Sequence, residues 1–177
     1  SSILDLNADE YVNNTLFLNF VSRLDGQKIH FLEEDLASFE DSQISRGNIY
    51  QNLKAVIDIF YQRYEESLKK RRELLTNHNF DLNIDESIKL NDRERFFTSS
   101  HEKTTYLRKL VKNEIIIQML DGKAQNEAIA ELKTNYRDRL SSLSKVRDED
   151  KFGILANNFL SLIDPHSSYF SARDLEN

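Results

Sequence analysis

Residues 48–75 read NIYQNLKAVIDIFYQRYEESLKKRRELL, a run with neither proline nor glycine. Ile49, Leu53, Val56, Ile57, Phe60, Tyr64 and Leu68 recur at steps of three and four. On a 3.6-residue turn that spacing gathers them on one face, with the charged residues on the others. The pattern predicts a single helix from about Asn48 to Leu75, roughly 40 Å long at 1.5 Å per residue. An apolar stripe of that length has to be covered, so this helix reads as the spine of a bundle.

The flanks supply helices to cover it. Upstream, Tyr11, Val12, Thr15, Leu16, Phe20 and Leu24 predict a helix over Ala8–Leu24, with Asn7 as N-cap and Glu10 placed to complete a capping box. Asp25-Gly26 punctuates the chain before a shorter helix at Leu32–Phe39. Downstream, Thr76–Thr98 has no clean period. Thr104–Leu120 then carries Tyr106, Leu107, Leu110, Val111, Ile115, Ile117 and Leu120, and stops at Asp121-Gly122. Its Ile115-Ile116-Ile117 run suits a strand, but the four-residue spacing around it favours helix. Ala124–Val146 carries Ala128, Leu132, Tyr136, Leu140 and Leu143. Asp148–Ile163 is expected to bury Phe152, Leu155, Phe159 and Leu162 before Asp164-Pro165 stops it. The fold class expected is all-α, an irregular bundle of about six helices with one long central helix.

Composition agrees. Four glycines and one proline in 177 residues are too few for the hairpins of a sheet protein. A net charge of −6 argues against nucleic acid as a partner, since that needs a concentrated positive field. No apolar run approaches the ~20 residues of a membrane span. With no cysteine, disulfides, thiolate zinc sites and a Cys nucleophile are excluded together.

Candidate chemistry is sparse. Asp164, His166, Ser167 and Ser168 bring the residue types of a hydrolytic triad within five positions, but triad members must converge from separate elements. A structural turn is the better reading. His30, His78, His101 and His166 are scattered, none at the i, i+4 spacing that offers two ligands to a metal. Consecutive Glu33, Glu34 and Asp35 fan around a helix. Lys69, Lys70, Arg71 and Arg72 lie near the end of the long helix, where positive charge complements the dipole. They read as a solvated helix end or as a docking patch for an acidic partner. No Gly-rich phosphate loop is present, and neither cofactor nor metal is expected.

The C-terminal stretch Leu162-Ile163-Asp164-Pro165-His166-Ser167-Ser168-Tyr169-Phe170-Ser171 resembles the segment that closes the N-terminal helical region of C-terminal processing (tail-specific) serine peptidases. Arg23-Leu24-Asp25 with Ile29-His30-Phe31-Leu32, then Asp35-Leu36 and Phe39, is similar to that region's opening. Phe80-Asp81-Leu82 with Glu86-Ser87, then Asp92-Arg93, resembles its irregular middle. Leu120-Asp121-Gly122-Lys123 with Tyr136-Arg137-Asp138-Arg139-Leu140 resembles its helix pair. The likeness runs in order over nearly the whole chain. One departure is Arg93-Glu94-Arg95-Phe96-Phe97, where relatives carry a Pro- and Trp-containing stretch.

The resemblance implies a parent endopeptidase of the Gram-negative periplasm. That enzyme would grip substrate C-termini through a PDZ domain and cut with a Ser–Lys dyad, both expected beyond Asn177. Residues 1–163 would form a non-catalytic helical scaffold that shapes access to the protease or docks an adaptor or a second copy. Residues 164–177 would form the junction to the protease body, with Asp164, Pro165 and His166 making the turn and Tyr169 and Phe170 buried against that body. A stand-alone helical interaction module is the alternative, and the downstream reading frame separates the two.

Overall fold

The computed structural model describes residues 15–40, 45, 47–77, 79–88 and 93–163. Among these are six helices: α1 Thr15–Leu24, α2 Glu33–Glu40, α3 Ile49–Asn77, α4 Ser100–Leu120, α5 Gln125–Asp148 and α6 Phe152–Ile163. The described residues hold no strand, and an isolated bridge pairs Leu32 with Phe97. The all-α expectation holds, and α3 is central: α1, α4, α5 and α6 all pack on it.

The stripe read from residues 48–75 is the reason. Ile49, Leu53, Val56, Ile57 and Leu68 are buried, and Phe60 and Tyr64 half-buried. The N-terminal half of α3 meets Phe20, Val21, Phe31, Phe39, Phe159 and Leu160 in one core. There Phe20 lies 4.4 Å from Phe159 between ring centroids, and Tyr61 stacks on Phe152 at 4.8 Å. Leu68 and Leu75, on the C-terminal half, meet Val111, Ile115, Leu132 and Tyr136 in a second core. Each such buried side chain contributes roughly 1.5–3 kcal/mol of transfer free energy. A third, smaller cluster joins Leu32, Phe97, Tyr106 and Leu107.

Helix ends differ from expectation for local reasons. α4 starts four residues before Thr104, because Ser99 caps it by accepting from the Glu102 N–H at 3.1 Å. Glu102 in turn accepts from the Thr98 N–H and hydroxyl at 2.8 and 2.6 Å. This is a capping box displaced by one residue. α5 ends at Asp148, where the last helix was expected to begin. Asp150 takes a left-handed φ of 49°, which aspartate tolerates, and α6 begins at Phe152. Leu155 was expected to be buried, yet it lies on the outer face of α6 at 37% exposure beside Ile154. In α4, Ile117 and Leu120 stand off the packed face, although the helical reading of Ile115-Ile116-Ile117 holds. The predicted first turns from Ala8, with Asn7 and Glu10, lie outside the described residues.

Candidate functional site

Three polar nodes tie the helices together, and most of their residues belong to the motifs quoted above. The first closes the α1–α2 turn. Asp25 is buried, and its carboxylate accepts the N–H groups of Ile29, His30 and Phe31 at 3.0, 2.9 and 2.9 Å. Ten residues on, Asp35 accepts the Leu32 N–H at 2.9 Å and takes a two-pronged ion pair from Arg63 of α3, with both contacts at 2.9 Å. Lys103 of α4 reaches into the same place and donates to the carbonyls of His30 at 2.7 Å and Arg63 at 3.4 Å. Burial pulls the Lys103 ammonium down to about 8, so it remains charged at neutral pH.

His30 sits against this node with its ring edge-on to Phe60 and Tyr64, at 5.3 and 5.1 Å between centroids. Its Nδ1 is buried without a partner among the described residues. Burial drives its pKa down to about 4; the Asp25 carboxylate opposes this, and Lys103 and Arg71 reinforce it. His30 is therefore a neutral packing residue. Of the other histidines, His101 lies exposed on α4, and His78 and His166 lie outside the described residues. Among the described residues, no cluster of three His, Cys, Asp or Glu side chains could hold a metal ion.

The second node fixes the irregular middle. Glu86 pairs with Arg108 and, at 2.8 Å, with Lys112 of α4, while Lys112 also donates to the Ile84 carbonyl at 2.5 Å. Hydrogen bonds from Arg108 and then Lys112 hold the Glu86 carboxyl down to about 2. The departing stretch at 93–97 has its own anchorage. Phe97 is fully buried, its carbonyl accepts the Glu33 N–H at 2.9 Å, and Arg93 covers its ring at 3.9 Å.

The third node divides the basic run. Arg71 is buried, pairs with Glu114 of α4 and lies 4.7 Å above the Tyr136 ring of α5. Lys69, Lys70 and Arg72 stay at the surface. Lys69 bonds Glu65 at 2.9 Å and Lys70 bonds Glu73 at 3.2 Å, both on the same helix. The sequence carried a signal for this division: Arg71 falls three residues after Leu68 and four before Leu75, on the apolar stripe itself. Read as part of a charge run, it looked like surface. Asp25, Asp35, Arg63 and Lys103 form a second group that residue type and spacing did not single out. They converge only once three helices have packed.

Asp164, Pro165, His166, Tyr169 and Phe170 lie outside the described residues, as do Ser167 and Ser168. No described helix is long and apolar enough to cross a membrane.

Residues 4–173 match the family model described as the tail specific protease N-terminal domain. A tail-specific protease of Haemophilus influenzae is 29% identical over 183 aligned positions, covering 93% of this chain and 25% of the relative. The chain thus spans about a quarter of that relative's length. The match extends through all six helices and the three nodes that fasten them, and the chain belongs to the tail-specific protease N-terminal domain family.

Proposed function

We propose that this chain is the non-catalytic scaffold and docking domain of a periplasmic serine endopeptidase that degrades or processes proteins from their C-termini. One observation supports this reading above the others. Asp35, Arg63, Arg71 and Lys103 are each engaged in fastening one helix to another, and Asp25 is engaged in closing the α1–α2 turn. A catalytic acid or base must instead face a reacting atom across open space. A Ser–Lys dyad and a PDZ domain elsewhere in the parent would then supply cleavage and tail capture. Residues 164–177, with Asp164, Pro165, His166, Tyr169 and Phe170, would be the junction to them. The surface cations Lys69, Lys70 and Arg72 form a candidate docking patch for an adaptor.

The test is turnover of an unfolded substrate carrying a C-terminal tag. Residues 1–177 are expected to leave it intact, and a parent reading frame encoding the PDZ domain and a Ser/Lys pair to degrade it. Turnover by the purified chain that disappears on Ser167→Ala would overturn the non-catalytic reading.

A further inference from the structure

Between residues 82–88 and α4 lies a cavity of about 220 Å³. At the ~30 Å³ that each molecule occupies in liquid water, it has room for on the order of eight non-hydrogen atoms. That is below the usual size of pockets for drug-sized ligands. α4 supplies one side of it through Lys109, Lys112, Asn113 and Ile116. Steps of three and four residues put these four on one face of the helix. The covering segment adds Leu82, Asp85 and Ile88, so the lining is part aliphatic and part charged.

The charges are unequally satisfied. Glu86 is a single carboxylate held between two cations, Arg108 and Lys112, so this node keeps a surplus positive charge. Lys109 adds to the surplus and makes no ion pair with a described residue. The Lys112 side chain is only 5% exposed and spends two N–H donors on Glu86 and the Ile84 carbonyl. Its third N–H has no partner among the described residues. A buried ammonium gains from an acceptor for each of its donors. Asp85 has the opposite sign, and it too makes no ion pair with a described residue.

An occupant has to bring an anion for Lys109 and Lys112, a cation for Asp85 and an aliphatic group for Leu82, Ile88 and Ile116. A free α-amino acid carries all three on one carbon atom. A simple carboxylate or phosphate leaves Asp85 facing a second negative charge, and a residue within a polypeptide has lost its ammonium to an amide bond. We propose that the cavity between residues 82–88 and α4 binds a free α-amino acid with a branched aliphatic side chain. The site lies wholly within the present chain, so it does not depend on the proposed role within a protease.

Titration of ¹⁵N-labelled residues 1–177 with unlabelled L-valine tests it, with amide chemical shifts as the readout. Saturable shifts are expected at Asn83, Asp85, Lys109 and Asn113. Affinity should fall about tenfold or more for 3-methylbutanoate, which lacks the ammonium, and for L-valinamide, which lacks the carboxylate, because each forfeits a hydrogen bond to a charged group. The same loss is expected for L-valine with Asp85→Asn or Lys109→Gln, and the spectrum of each variant reports whether it is folded. No saturable shifts around the cavity, equal binding of either analogue, or undiminished binding by a folded variant would each overturn the proposal.

Discussion

The carboxylate of Asp25 takes up three successive amides just beyond the end of α1, where no helix can satisfy them. Removing such an acceptor leaves buried donors uncompensated, at roughly 1–3 kcal/mol for each group lost from water. Asp25→Ala is therefore expected to lower unfolding free energy by about 3 kcal/mol in urea denaturation, and a loss below about 1 kcal/mol would contradict the assigned role. The neighbouring His30 carries a pH signature. Its folded-state value near 4 lies below the usual 6.5 of an exposed imidazole, so the unfolded chain binds the proton first as pH falls. Stability from this group is intact above about pH 6.5 and is lost progressively down to pH 4, by up to about 3 kcal/mol. Because carboxylates also titrate in acid, the comparison is with His30→Leu, whose stability should fall less over the same window. Parallel curves for the two proteins would refute the burial argument. Neither role was legible from residue type. Asp25 read as turn punctuation, and His30 as one of four scattered histidines, because burial is a property of the packed helices and not of the local spacing.

Among the elements, the helices with long stripes were read nearly to their ends, and the errors fell where capping decides the boundary. Ser99 and Glu102 spell a capping signal that a search for apolar period passes over, so α4 was begun late. The α5–α6 break has no proline or glycine to announce it and depends on Asp150 adopting a left-handed backbone. By contrast, Asp121-Gly122 was a visible stop, and its geometry explains why. Gly122 has φ 100°, its N–H bonds the Met119 carbonyl at 3.0 Å, and the next N–H bonds Gln118 at 3.2 Å, closing the end of α4. A Cβ there would meet nothing within 4 Å, so substitution costs backbone strain alone. Gly122→Ala is expected to destabilise the chain by about 1–2 kcal/mol with its helical circular dichroism unchanged. An unchanged melting temperature would mean the turn readily takes another conformation.

For the whole molecule, the periodicity of residues 48–75 was enough to place α3 at the centre, since a stripe that long can only be covered by several partners. What the period could not give was the division of its cover into separate cores, which depends on how α4, α5 and α6 return along it. The N-terminal half of α3 is gripped among aromatic rings from α1, α2 and α6, and the C-terminal half among side chains from α4 and α5. A continuous rod clamped at both ends is a ruler: it fixes the spacing of whatever is attached to either half. The chain has no cysteine of its own, so two introduced ones give a uniquely labelled gauge of that length. Gln51 and Thr76 are exposed near opposite ends of α3. Their backbones stand about 38 Å apart at 1.5 Å per residue. Spin labels at Gln51→Cys and Thr76→Cys should give one narrow distance distribution near that value by pulsed dipolar spectroscopy. A broad or bimodal one would expose a hinge in the rod. With a rigid rod, a load borne at one end reaches the other as displacement instead of being absorbed between them.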